Sequence, residues 1–237
     1  MFNLKNEMNS MIPEIHQIVE RFITSSPQTY ETFGKDVEVP VVDYLLSELK
    51  KRTNITNYKK AAHKNDFPEL AIEIEVGNKK QWIAIDVKSS NHSAYKKGKW
   101  IKNNSPGNDL GSFKTLPEHI EKYGGENIHY LWVHYNFNEE VQELVKVEFD
   151  SFYRFIGETK GIIKYRISDG KIRPRLYSQK PFYENFIQFE RAFAKGKIER
   201  SKKNIVREFI ELKKSGVPLD DFFSEIRETV KECESKD

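Results

Sequence analysis

A single cysteine, Cys233, stands in 237 residues, so no disulfide closes within the chain and the sequence suits a reducing compartment. Long apolar runs are also missing: nothing approaches the roughly 18 consecutive apolar residues of a membrane span. The first residues, Met1-Phe2-Asn3-Leu4-Lys5-Asn6-Glu7, lack the apolar core of a signal peptide. A cytoplasmic protein with no membrane partner is expected. Neither sign of charge dominates, with 39 Lys and Arg against 36 Asp and Glu. There is no glycine-rich phosphate loop, no cysteine cluster and no nucleophile elbow, which argues against nucleotide, zinc and serine-hydrolase chemistry. His129 and His134, five positions apart in an expected strand, fall on opposite faces and make a poor metal pair. Internal repeats and low-complexity segments are absent.

What is present is a large aromatic stock, 16 Phe and 11 Tyr, beside a mean hydropathy of −0.70 that marks a highly charged surface. This length suits one large compact domain, or a domain with a small appendage. The basic residues are unevenly placed. Residues 91–114 hold five lysines and one acid, Asp109; residues 160–180 hold seven Lys or Arg and one acid, Asp169. Residues 195–214 hold eight Lys or Arg against three Glu. Basic loops of this kind match a phosphate backbone, whose neutralisation releases counterions; the other reading is a solvated surface.

Residues 3–24 read as an amphipathic helix on Met8, Met11, Ile15, Ile18, Val19 and Phe22, stopped by Ser25-Ser26-Pro27. A second helix is expected over about 36–52, with Pro40 in its first turn. Strands follow at about 69–76 and 81–88, joined at Gly77-Asn78. Residues 90–112 read as a long polar connection, functional or mobile. A short helix is expected over 116–123, a central strand over 128–135, another strand over 141–149 and a short helix over 151–156. Residues 172–177 alternate like a strand. A long helix begins near Pro181, carrying Phe182, Phe186, Phe189 and Phe193 as core or dimer interface, and a terminal helix covers about 218–234.

The chemistry concentrates at the end of one strand. In Trp82-Ile83-Ala84-Ile85-Asp86-Val87-Lys88 the apolar residues Ile83, Ile85 and Val87 face one way, Asp86 and Lys88 the other. Asp86 and Lys88 are thus held side by side, about 7 Å apart along the chain. Seventeen positions before Asp86 stands Glu69, in Phe67-Pro68-Glu69. Two carboxylates and a lysine that converge can hold a divalent cation beside an activated water, which is chemistry that cuts phosphodiesters. Mg²⁺ prefers carboxylate oxygens, phosphate oxygens and retained water. The plain alternatives are a surface ion pair for Asp86 and Lys88 and an ordinary helix charge for Glu38.

Gly34…Glu38, Pro68-Glu69 and Asp86-x-Lys88 together resemble the PD-(D/E)xK nuclease superfamily, with Glu in place of the usual Asp after the proline. More particularly, FPELAIEIEVGNKKQWIAIDVKSS, DLGSF, IHYLWVHY and PFYENFIQFERAF resemble the EcoRV-like type II restriction endonucleases, including the SwaI-like blunt cutters, over residues 34 to 195. The resemblance implies an α/β restriction-endonuclease-like core, a central mixed β-sheet flanked by helices, with long C-terminal helices. It divides one domain, 1–237, into a helical dimerisation segment (1–35), a catalytic and DNA-recognition core (36–180) and a C-terminal helical segment (181–237). It implies a homodimer on double-stranded DNA, Mg²⁺-dependent cleavage with Mn²⁺ as substitute, and a cognate DNA methyltransferase in the same system.

By the same resemblance Glu69 matches the first metal-binding acid, Asp86 the second and Lys88 the catalytic lysine. The Val87 carbonyl completes the metal ligands, and Glu38 matches an acid from their second helix. Asp66 is the alternative to Glu69. For DNA contact the expectation falls on His63, Lys64 and Asn65 before the Pro-Glu, on Ser89, Ser90 and Asn91 after the lysine, and on Lys171, Arg173 and Arg175. Arginine suits bidentate contact with guanine and asparagine with adenine; simple phosphate binding is the other reading of the basic segment. Tyr95 and Trp100 suit either DNA contact or core packing. A restriction endonuclease is expected first. A repair or structure-specific nuclease of the same superfamily, or a non-catalytic DNA-binding protein, stands as the alternative.

Overall fold

The computed structural model describes residues 3–25, 32–63, 66–77, 79–102 and 109–216, with 224 and 228 singly. The chain divides into two compact units, Met1–Phe193 and Ala194–Asp237, so the boundary expected at 180 falls inside the first. The fold is α/β, with helices flanking one mixed sheet. The long amphipathic helix α1 (Leu4–Ser25) is followed by the short α2 (Phe33–Asp36) and by α3 (Glu38–Arg52), which accepts Pro40 in its first turn, where a proline's missing N–H costs nothing. Five strands make the sheet: β1 (Ile55–Lys60), β2 (Leu70–Val76), β3 (Lys79–Asn91), β6 (Ile128–Phe137) and β7 (Gln142–Ser151), in that spatial order. The β3–β6 pair is parallel and the other three are antiparallel. Between β3 and β6 the chain forms a small hairpin, β4 (Ser93–Lys96) and β5 (Lys99–Lys102), and the helix α4 (Thr115–Tyr123).

Each face of the sheet carries its own apolar layer, as alternation along the strands demands. On one face α1, α2 and α3 bury Met8, Met11, Ile15, Phe33, Val41 and Leu45 against Ile72, Ile85, Val87, Leu131 and Val133. On the other, Ala71, Ala84, Tyr130 and Trp132 meet Leu116, Phe152, Phe155 and Phe189. The fully buried Val, Leu, Ile, Phe and Met side chains among these contribute about 1.5–3 kcal/mol each. Of the phenylalanine series, Phe189 is core, Phe186 and Phe193 are half-buried against it, and Phe182 is exposed.

Several expectations are corrected. The 172–177 alternation yields no strand; Ile172 and Pro174 make only isolated bridges. The long helix α5 (Phe186–Ser215) starts five residues later than expected. Strand β1 and the β4–β5 hairpin have no counterpart in the sequence reading. The expected helix at 218–234 lies outside the described residues except at 224 and 228, both helical.

Candidate active site at the end of the central strands

The hairpin register brings the reactive residues together. Leu70 pairs with Ile85, so the next residues outward, Glu69 and Asp86, stand across from one another on the same face, as close cross-strand neighbours. The Val87 N–H donates to Glu69 Oε2 at 3.0 Å, fixing that carboxyl over the strand. Two residues past Asp86 on the same face, Lys88 places its Nζ 2.5 Å from Asp86 Oδ2. Asp86 is 1% exposed, and its oxygens accept no aligned hydrogen bond from the described residues; the ammonium is what offsets its burial. Tyr130 pairs with Asp86 in the parallel ladder, and its ring lies 5.8 Å from Lys88 Nζ. Glu69, Asp86, Lys88 and Tyr130 therefore sit together on one face of the sheet.

The electrostatics follow from that crowding. Burial first, and the Asp86 carboxylate second, push Glu69 far above the ordinary carboxylate range, so it holds a proton at neutral pH. Burial opposes the charge on Lys88, but Asp86 and then Glu69 outweigh it and keep the ammonium charged. Two carboxyls beside one ammonium therefore lack one positive charge for full ionisation.

A divalent cation is the natural complement, and the residues fit one. The donors are hard oxygens, and the buried Asp86 oxygens have hydrogen-bonding capacity to spare. The Val87 N–H points at Glu69, and in an extended strand the carbonyl of the same residue points the same way, beyond the end of β2. Among the described residues no cluster of three or more His, Cys, Asp or Glu side chains is arranged to hold a metal. Two carboxylates with vacant positions left for phosphate and water match how Mg²⁺ is usually held.

Other expected residues are placed elsewhere. Glu38 is corrected: the Ser89 hydroxyl donates to its Oε1 at 3.5 Å, on the helix-covered face of β3, away from Asp86 and Lys88. Asp66 accepts from the Ala62 and His63 N–H groups at 3.0 and 2.9 Å and closes its own exposed loop, which leaves Glu69 as the acid at the cluster. His63 is exposed; Lys64 and Asn65 lie outside the described residues.

Ser90 is buried and accepts from Trp132 Nε1 at 2.8 Å. Asn91 bonds both backbone groups of Phe137 and the Ser93 N–H. Neither is presented to a ligand. Arg175 is 7% exposed and donates to Glu148 and to the carbonyls of Arg154, Leu176, Tyr177 and Gln179. It clamps a loop and cannot reach a base. Lys171 (3.1 Å) and Arg173 both pair with Asp109, and Arg166 joins them while also pairing with Asp169, so these three cations are engaged by two internal acids and keep about one net positive charge.

Two features were missed. His119 of α4 lies flat on Phe67, ring centroids 3.9 Å apart at 9°, just ahead of Pro68-Glu69. Burial lowers its pKa against the pull of Asp86. No spacing marked it, since α4 gave only a short apolar pattern. Further along the same face as Lys88 runs a buried chain: His92 Nε2 meets His134 Nδ1 at 3.0 Å, and His134 Nε2 stands 3.0 Å from Glu148 Oε1, at ion-pair distance but without hydrogen-bond alignment. Comparison with protein-family models and with curated proteins finds no match to this chain.

Proposed function

We propose that the chain is a Mg²⁺-dependent endonuclease of the type II restriction kind, cutting both strands of a specific duplex to leave 5′-phosphate and 3′-hydroxyl ends. The observation that carries this reading is the meeting of Glu69, Asp86 and Lys88 on one face where β2 ends against β3. A bound Mg²⁺, which Mn²⁺ can replace, supplies Lewis acidity to the scissile phosphate and a more acidic water. Asp86 and Glu69 would hold the cation, and Glu69 would release its proton in doing so. Lys88, a compact charge, orients the attacking water and stabilises charge growing on the phosphate oxygens. The Tyr130 ring stands beside the ammonium, 5.8 Å from Lys88 Nζ.

The remaining elements of the reading are a homodimer whose two-fold axis matches a palindromic site, a cytoplasmic location, blunt ends, and a methyltransferase protecting host DNA. No helix among the described residues is long and apolar enough to cross a membrane.

The test is incubation of the purified protein with unmethylated plasmid and Mg²⁺ or Mn²⁺. Discrete bands with 5′-phosphate ends support the reading. Digestion that depends on junctions or flaps points to a structure-specific nuclease, and duplex binding without any cleavage to a DNA-binding protein. Lys88→Ala is expected to cost on the order of a hundredfold or more in cleavage rate while leaving DNA binding intact. Full activity in that variant refutes the site.

A further inference from the structure

The basic segment that sequence alone favours for DNA contact is tied up by Asp109 and Glu148. A group of lysines with no such internal acid lies elsewhere. From Ser89 to Asn108 the chain carries no acid, and within this stretch Lys96, Lys97, Lys99 and Lys102 are all exposed on the β4–β5 hairpin. None of the four makes an ion pair with the other described residues.

The hairpin carries two marks of local stability given up for charge. Lys96 stands directly opposite Lys99, and like charges across a strand pair repel. The two-residue turn has Lys97 at φ 53 and Gly98 at φ 78. That turn twists correctly for a hairpin, but its first position favours Asn, Asp or Gly over lysine. The opposite face pairs Tyr95 with Trp100, ring centroids 5.3 Å apart at 65°, and leaves Tyr95 60% exposed.

The hairpin base is pinned. Asn91 Oδ1 accepts from Ser93 and Phe137, the His92 N–H donates to the Tyr135 carbonyl at 2.7 Å, and Asn138 reaches Ser93 Oγ at 3.0 Å. It continues the strand that bears Asp86 and Lys88. At about 3.3 Å per residue its tip lies within roughly 30 Å of Lys88, about one turn of B-form duplex.

We propose that the β4–β5 hairpin is a two-stranded ribbon that enters the major groove of double-stranded DNA. Its lysines contact the flanking phosphates, and Tyr95 packs on the base edges. The B-form major groove, about 12 Å wide, admits such a ribbon, whereas the deep, narrow major groove of an RNA duplex does not. The inference rests on the reading of the chain as a duplex-DNA enzyme and names the element that grips the duplex.

The experiment uses the full chain without divalent cation, a fluorescent 30-base-pair DNA duplex, and titrations across a salt series. Lys96→Ala/Lys99→Ala is expected to reduce the slope of log K against log[NaCl] by roughly one per lysine. Tyr95→Ala should weaken binding with the slope unchanged. Lys79→Ala, at the far end of β3, should match the parent. All four side chains are exposed, and an unchanged melting temperature verifies folding. An unaltered slope in the double lysine variant overturns the proposal. So does an RNA duplex of equal length that binds as tightly and with the same lysine dependence.

Cleavage assays with Mg²⁺ separate this inference from the nuclease reading. A chain that cuts DNA while the hairpin variants bind normally refutes the hairpin alone. A chain that never cuts but loses salt slope in those variants keeps the hairpin and refutes the nuclease. A parent protein that binds no duplex refutes both.

Discussion

Glu69 is the residue whose state decides the rest of the cluster. Its folded pKa is raised above the ordinary value of 4.5. Below that value the folded and unfolded chains both hold the proton, and this group costs nothing. As pH climbs above it, the unfolded chain releases the proton while the folded one keeps it, so stability falls with rising pH. In EDTA, Glu69→Gln should remove this loss. The difference in urea midpoint between variant and parent is therefore expected to grow in the variant's favour from pH 5 to pH 8. A constant or shrinking difference refutes the assignment. If Glu69 holds Mg²⁺ as proposed, adding the cation should stabilise the parent more than the variant, because the variant would lack that ligand.

Among the elements, α2 packs closely against β3 and β6. A Cβ built on Gly34 would lie 2.6 Å from Ser89 Oγ and 2.9 Å from the Tyr135 hydroxyl. Gly34→Ala is accordingly expected to cost about 1–3 kcal/mol by overpacking, read as a lower urea midpoint; a neutral result would mean the helix is free to retreat. Arg175→Ala leaves the half-buried Glu148 with only Lys146 as a cationic partner and frees the carbonyls Arg175 bonds, and should cost about 1–3 kcal/mol, read as a lower urea midpoint. At this scale the sequence is informative wherever burial is periodic. Strands β2, β3 and β6 are buried on one or both faces, and α1 shows a clean apolar stripe. Strand β1 is exposed beyond its first residue, so it leaves no alternation to read. The reactive trio was legible for a physical reason: a tight turn at Gly77 fixes the register, and the register sets Glu69 against Asp86. The fates of Glu38, Ser90, Asn91 and Arg175 were not, because they depend on which internal groups claim them. Only packing decides that.

For the whole molecule, two buried groups on different faces of the sheet predict acid sensitivity. Burial, against the pull of Asp150, lowers His129 to about 4 from 6.5. Glu148 is lowered to about 2 from 4.5: burial opposes its charge, but His134, Lys146 and Arg175 outweigh it. Both folded pKa values are depressed, so both contributions are complete above the unfolded values and fade as pH falls through the folded ones. The contributions of these two groups drop first between about pH 6.5 and 4, and again from about 4.5 to 2, while the proton retained by Glu69 works the other way above 4.5. Chemical denaturation of His129→Asn beside the parent isolates the upper step: the parent's midpoint should fall relative to the variant's as pH drops from 6.5 to 4. A difference between the two midpoints that stays constant from pH 7 to 4 contradicts this account.

The parallel β3–β6 pair has a different consequence. Antiparallel neighbours owe their alignment to the short turn between them, and a residue added there shifts every contact downstream. Parallel neighbours are aligned through a long excursion, and here that excursion holds the lysine-bearing ribbon. Its length can therefore drift over generations, reshaping the ribbon, while Glu69, Asp86 and Lys88 on the adjoining strands keep their alignment.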